Sequence, residues 1–325
     1  MATRLLITGG AGFIGSNLVE RFLDDPRVEL VRVVDDLSNG YMENVEPFLG
    51  HPRYEFVRGD ICDYDTCRRI MRDITKVTHQ AALGSVPRSL ENPMRTNEVN
   101  VGGTVNILHA AKEEGVERMV LAFSSSTYGD SSELPKVEQR IGRPLSPYAV
   151  SKYATELYAE VFARAYGLPF IGLRYFNIFG PRQSPTNPYA AVIPIFCKAF
   201  IDGVPPKING DGNTTRDFTY VENALLANEL ALFTEDSRAL NQVYNVACGE
   251  QVSLNQMVDM LRQISGKDLQ PVYGPERPGD VRHSQADISK IRRYLGYEPR
   301  VYMQEGLRRV YQYYAKTLAT PSVLA

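Results

Sequence analysis

Arg4-Leu5-Leu6-Ile7-Thr8-Gly9-Gly10-Ala11-Gly12-Phe13-Ile14-Gly15 decides the fold. Its apolar start reads as a buried strand, glycines follow at once, and an apolar-periodic helix is expected over about 13–24. Strand, glycine turn and helix together make a phosphate site. Glycines at 9, 12 and 15 let the backbone turn sharply and approach a pyrophosphate, which meets the free N–H groups of the helix start. Phe13 and Ile14 belong to the same turn.

Working outward, Leu30-Val31-Arg32-Val33-Val34 reads as the next strand and ends in Asp35-Asp36. An acid about twenty residues past the last glycine accepts hydrogen bonds from adenosine ribose hydroxyls and repels a 2′-phosphate, which favours NAD over NADP. The alternation continues. Tyr54-Glu55-Phe56-Val57 precedes Gly59-Asp60-Ile61, and Lys76-Val77-Thr78-His79 precedes Gln80-Ala81-Ala82. Asn100-Val101-Gly102-Gly103-Thr104 opens a helix, and Met119-Val120-Leu121-Ala122-Phe123 runs into Ser124-Ser125-Ser126. The pattern predicts an α/β fold with a doubly wound parallel Rossmann sheet, and ligands beyond the carboxyl ends of its strands, where Asp60, Ala81-Ala82 and Ser124 fall.

The 325 residues exceed one minimal domain and point to a large α/β unit with an appendage. A 43% hydrophobic and 23% charged composition is that of a soluble globular protein, and a formal charge of -2 argues against nucleic acid or anionic membrane as partner. The start resembles no signal peptide and no apolar run is long enough for a bilayer, so a cytoplasmic location is expected. Cys62, Cys67, Cys197 and Cys248 form no Cys-x-x-Cys pair, and His51, His79, His109 and His283 are scattered. Reduced thiols and no metal site follow.

Ser146-Pro147-Tyr148-Ala149-Val150-Ser151-Lys152 carries the candidate chemistry. A helix over 149–164 puts Tyr148 and Lys152 on one face, one turn apart. A lysine ammonium beside a phenol favours the phenolate, letting the tyrosine act as a base below its usual pKa of about 10.

Gly9-x-x-Gly12-x-x-Gly15, Asp35, Asp60-Ile61, Asn100, Ser124 and Tyr148-x-x-x-Lys152 together resemble the extended short-chain dehydrogenase/reductase superfamily over nearly the whole chain. Arg174-Tyr175-Phe176-Asn177-Ile178-Phe179-Gly180 resembles its passage into a substrate domain. Arg216-Asp217-Phe218-x-Tyr220-Val221 and Arg277-Pro278-Gly279-Asp280 resemble its nucleotide-sugar diphosphate anchors. Within the superfamily, three stretches resemble the UDP-N-acetylglucosamine 4-epimerase branch. They are Ala81-Ala82-Leu83-Gly84-Ser85-Val86-Pro87-Arg88-Ser89, Ser124-Ser125-Ser126-Thr127-Tyr128-Gly129-Asp130 and Tyr189-Ala190-Ala191-Val192-Ile193-Pro194.

The resemblance implies a Ser124-Tyr148-Lys152 triad, with Ser125 or Ser126 able to share the serine's duty. It implies NAD held by the glycine turn, Asp35, Asp36, Ser38, Asn39, Gly40, Asp60, Ile61, Gln80, Ala81, Ala82, Asn100 and Tyr175, besides Tyr148 and Lys152. It implies a UDP-sugar held by Gly84, Ser85, Ser125, Ser126, Asn177, Ala190, Val192, Arg216, Arg277, Asp280 and Ser284. Dehydratases and decarboxylases of the superfamily carry an acid just after the serine. Only serines stand here, which favours epimerisation over those rivals, and a non-catalytic dinucleotide sensor would lack the tyrosine and lysine. Where relatives restricted to glucose and galactose have a tyrosine, Ser284 leaves room for an acetamido group, so UDP-GlcNAc and UDP-GalNAc are expected beside the plain hexoses. Lys207 replaces an aromatic residue often found before Ile208-Asn209-Gly210-Asp211, a departure at the uracil end. The implied reaction is reversible: Tyr148 takes the 4-hydroxyl proton, the hydride passes to NAD, the 4-keto sugar turns over, and the hydride returns.

The resemblance also implies two domains, 1–175 with 216–248 for the cofactor and a smaller α/β domain, 176–215 with 249–325, for the UDP-sugar. A homodimer through helices near 100–114 and 149–166 is expected. Prolines break the chain after Gly180, a helix then a strand are expected over 216–233 and 242–246, and further helices over 253–266, 288–295 and 303–314.

Overall fold

The chain is described from a computed structural model covering residues 2–187, 189–276 and 282–319. In order, β1 (Thr3–Thr8), α1 (Phe13–Leu23), β2 (Val28–Asp35), β3 (Tyr54–Arg58), α2 (Tyr64–Met71) and β4 (Lys76–His79) open it. Next come α3 (Val86–Glu91), α4 (Pro93–Asn97), a π-helical turn (Glu98–Gly103), α5 (Thr104–Glu113), β5 (Arg118–Ser124), α6 (Pro147–Tyr166) and β6 (Phe170–Tyr175). The second half holds β7 (Ile178–Phe179), α7 (Val192–Asp202), β8 (Lys207–Asn209), β9 (Thr215–Arg216), β10 (Thr219–Tyr220), α8 (Val221–Phe233) and β11 (Gln242–Val246). It closes with β12 (Val252–Ser253), α9 (Leu254–Ser265), β13 (Val272–Gly274), α10 (Ser289–Leu295) and α11 (Met303–Ala319).

Seven strands form one parallel sheet in the order β11-β6-β5-β4-β1-β2-β3. Strand alternation assigns its two faces. Leu5 and Ile7 enter one core with α1 and α8, while Leu6 enters the other with α2, α5 and α6. Each fully buried leucine or isoleucine here contributes about 1.5–3 kcal/mol, so both faces are needed to hold the sheet. The chain reverses order between β1 and β4, and the cleft opens above that switch.

The first core runs on without a break into the second half. Phe179, Phe196, Phe200, Ile208 and Tyr314 pack in the same apolar cluster as Leu5 and Ile7. Two-stranded ribbons pair β7 with β10, β8 with β13 and β9 with β12, and Ile178 of β7 and Arg216 of β9 line the cleft. The expected helix from 216 begins only at Val221, because residues 215–216 and 219–220 are extended and paired. Among the described residues no helix is long and apolar enough to cross a membrane, no cluster fit for a metal occurs, and all four cysteines are free thiols.

Candidate active site

Above the switch lies a cavity of about 840 Å³. At one end is the glycine turn. The Gly9 N–H donates to the Val34 carbonyl at 2.8 Å, and Gly9 has φ of +70°, where a side chain would be strained. A Cβ on Gly15 would stand 2.1 Å from the Gly9 carbonyl oxygen, so only glycine lets α1 start this close to the turn. Gly10 is equally constrained, its Cβ falling 2.4 Å from Val33, and with it the run also fits G-x-G-x-x-G, a second spacing beyond Gly9-Gly12-Gly15.

Asp35 closes this end. Its carboxylate accepts from the amides of Ala11 at 2.9 Å and Leu37 at 2.8 Å, and burial pushes its pKa up against those two bonds. Asp60 is also partly buried, yet the Cys62 amide and Arg95 hold its pKa below the usual carboxylate value. The bare cradle, the exposed N–H groups at the start of α1 and the carboxylate twenty residues on fit a dinucleotide.

Tyr148 and Lys152 come next along the cavity wall. Ser146 caps α6 by accepting from the Ala149 amide at 3.2 Å, and Pro147 occupies the first turn, so the helix starts in time to place both residues. Lys152 Nζ donates to the Ala122 carbonyl at 2.8 Å, tying the helix to β5, whose last residue is Ser124. Burial pushes the Lys152 pKa down to about 8, with Glu156 opposing. Burial also pushes Tyr148 up, and a hydrogen bond with Ser124 opposes it. Desolvation thus dominates the phenol, against the lowering expected from the lysine.

Behind the wall, packing fixes these groups. Asn100 in the π-helical turn donates to Ser151 Oγ at 3.0 Å and accepts from the Leu83 amide at 2.8 Å. It joins α6 to the loop after β4 and does not line the cavity, unlike every other predicted cofactor residue. Arg174 and Glu156 form a buried ion pair at 2.6 Å, and Glu156 also accepts from Thr127 in the serine turn at 3.2 Å. His79 is buried between Thr8 and Thr104, at 2.7 and 2.9 Å, and burial drives its pKa down to about 3, so it is neutral. Tyr175 accepts from Asn228 and donates to Gln80 at 3.3 Å, completing the floor.

The other end holds most of the predicted sugar residues. Gly84, Ser125, Ser126, Asn177, Arg216 and Ser284 all line the cavity. Ser85 instead caps α3 by accepting from the Arg88 amide at 3.2 Å, while Ala190 lies in the loop before α7 and Val192 begins that helix; none of the three lines the cavity. Arg277 and Asp280 lie outside the described residues. Arg216 is followed by fully buried Asp217, whose carboxylate accepts from the amides of Cys248, Gly249 and Ala286 at 3.0, 3.0 and 3.1 Å. Asp217 stands in the quoted Arg216-Asp217-Phe218 stretch, but no sequence signal marked its clamp on Cys248, Gly249 and Ala286, nor the lining residues Lys136 and Leu145.

Comparison with known proteins agrees with this geometry. Residues 6–310 match the family described as GDP-mannose 4,6 dehydratase. The structure superposes on UDP-glucose 4-epimerase from Thermotoga maritima, solved with UDP-glucose, with a TM-score of 0.91 and 38% identity over 97% of this chain and 100% of that one. It superposes equally, at 0.91 and 37% identity over 97% and 99%, on UDP-N-acetylglucosamine 4-epimerase from Methanobrevibacter ruminantium in complex with UDP-N-acetylmuramic acid. With UDP-glucose 4-epimerase from Thermus thermophilus, solved with NAD, the TM-score is 0.86 at 36% identity over 96% and 99%. Carrying the glycine cradle, the tyrosine-lysine helix and this match over most of its length, the chain belongs to the GDP-mannose 4,6-dehydratase family of extended short-chain dehydrogenases/reductases, beside the nucleotide-sugar 4-epimerases.

Proposed function

We propose that the protein is an NAD-dependent isomerase that reversibly epimerises UDP-hexoses at carbon 4, accepting UDP-GlcNAc and UDP-GalNAc as well as the plain hexoses. The observation that carries this reading is the distribution of acids around the cavity. Among the described lining residues the carboxylates are Asp35, Asp36 and Asp60, all at the glycine end, and hydroxyls alone follow Ser124. Elimination needs a carboxyl group beside the sugar; proton exchange at one hydroxyl needs only Tyr148 and its serine. That favours epimerisation over the dehydration in the family's description.

The glycine turn, Asp35 and Tyr175 would hold NAD, which when bound supplies uptake and return of the carbon-4 hydride. Tyr148 exchanges the proton of the 4-hydroxyl, with Ser124 as its hydrogen-bond partner. Lys152 sets a positive charge behind the phenol, and its bond to Ala122 keeps it on the strand that carries Ser124. Arg216 binds the diphosphate, and Ser284 leaves space at the sugar.

Residues 1–175 with 216–248 form the cofactor part and 176–215 with 249–325 the sugar-nucleotide part in this reading. It includes a homodimer, supported by Val150, Leu157, Tyr158 and Val161, which stand exposed on α6, and a cytoplasmic location, consistent with four free thiols. Incubating the purified protein with UDP-GalNAc, without added cofactor, and separating the nucleotides tests the function. Appearance of UDP-GlcNAc is expected. Absence of interconversion, or release of a dehydrated 4-keto product, overturns the reading.

A further inference from the structure

The face of α6 that carries Tyr148 and Lys152 continues one turn further to Glu156, to which the reaction above gives no part. Glu156 is 2% exposed, and its carboxylate ties α6 to two other elements. Oε1 accepts from Thr127 Oγ1 at 3.2 Å and from Arg174 Nε at 3.0 Å, while Oε2 accepts from Arg174 Nη2 at 2.6 Å. Thr127 is fully buried in the turn that follows Ser124. Arg174 comes from β6, where it pairs in register with Phe123, the residue before Ser124. Its guanidinium also donates to the Glu138 carbonyl at 3.0 Å and lies 5.0 Å from the centre of the Tyr128 ring.

Burying both charges offsets most of the attraction between them, so the ion pair is a costly way simply to join a helix to a strand. What it supplies is an acceptor held at one point. Thr127 has a single hydroxyl hydrogen, and donating it to Glu156 fastens the turn to α6 one helical turn beyond Lys152. At the start of the turn, Ser124 Oγ accepts from the Ser126 amide at 3.1 Å, which leaves its own hydrogen for Tyr148. That bond is what opposes the upward push of burial on the phenol. Glu156 likewise opposes burial at Lys152, and His79 of β4, which also feels the Lys152 charge, is neutral.

We propose that Thr127, Glu156 and Arg174 are positioning residues for the carbon-4 chemistry, fastening the serine turn to α6 and thereby setting the contact between Ser124 and Tyr148. The inference rests on the reading that Tyr148 exchanges the substrate proton. Thr127 isolates the geometric role, because its removal changes no charge.

Thr127→Val deletes the hydroxyl at nearly the same shape, and Thr127→Ser keeps it. In Thr127→Val, kcat with UDP-GalNAc should fall about tenfold, the scale of a lost hydrogen bond to a charged group, at unchanged KM. Thr127→Ser should stay near the parent. A readout without turnover is NMR of the NAD-loaded protein labelled at tyrosine Cζ, with the Tyr148 signal assigned by its loss in Tyr148→Phe. Tyr148 should titrate about one pH unit higher in Thr127→Val than in the parent, and at the parent's pH in Thr127→Ser. Glu156→Leu combined with Arg174→Met removes the ion pair at constant net charge and should raise the Tyr148 titration in the same way. Thermal melting verifies that each variant is folded. A Tyr148 titration unmoved in folded Thr127→Val, or a raised KM at unchanged kcat, overturns the proposal. If the parent interconverts no UDP-hexose yet the titration moves as described, the epimerase reading falls while the coupling of Thr127 to Tyr148 stands.

Discussion

Asp217→Asn gives the sharpest test of how the cavity wall is held. One carboxylate oxygen of Asp217 accepts from the Cys248 amide, and the other accepts from Gly249 and Ala286. An asparagine has a single acceptor oxygen. In its better orientation it keeps two of these bonds and turns an N–H donor toward the third amide. One buried backbone donor and one side-chain donor then go unsatisfied, at about 1–3 kcal/mol each, so a loss of about 2–6 kcal/mol is expected.

The pH dependence sharpens this test. Burial outweighs the three amides and pushes the Asp217 pKa from 3.8 up to about 7. Between those values the folded chain holds a proton that the unfolded chain has lost, so this group's contribution to stability falls as pH rises from about 4 to 7. The full difference is on the order of 4 kcal/mol. Asparagine does not titrate, so the cost of the substitution should be largest near pH 4 and shrink toward pH 8. Urea unfolding of both proteins across that range measures it. A gap between the two proteins that stays constant with pH, or widens as pH rises, refutes the reasoning. Because Asp217 follows Arg216, the variant should also bind UDP-sugars more weakly.

Tyr148→Phe removes the hydroxyl proposed to exchange the substrate proton; turnover should fall by about 10²–10⁴-fold while NAD stays bound, as read by absorbance of the released cofactor. Gly15→Ala puts a methyl 2.1 Å from the Gly9 carbonyl oxygen, so the turn must shift. NAD retention should be lost, and the melting temperature should drop; a variant that keeps its cofactor would show that the turn is not the phosphate cradle. Ser284→Tyr fills the sugar end of the cavity and should lower kcat/KM for UDP-GlcNAc relative to UDP-glucose by about tenfold or more, and an unchanged ratio would remove Ser284 from the selectivity argument.

The sequence by itself determined the sheet, the glycine cradle and the tyrosine-lysine helix, because each rests on short-range physics. Continuous apolar runs specify strands buried on both faces, glycines specify a turn that no side chain tolerates, and a capped helix places residues four apart on one face. It also marked Asp35 and Ser124, which sit at strand ends where such sheets bind ligands. Tertiary structure alone decided what those residues experience. Asn100 carries the family's motif, yet it braces α6 from behind the wall, since the π-helical turn aims it at Ser151 and Leu83. Burial pushes Tyr148 up and Lys152 down, a balance that depends on everything packed around them. Asp217 gains its role from partners 31 and 69 residues away, Cys248 and Ala286. No local pattern encodes such meetings; they exist only once the sheet has closed on its second half.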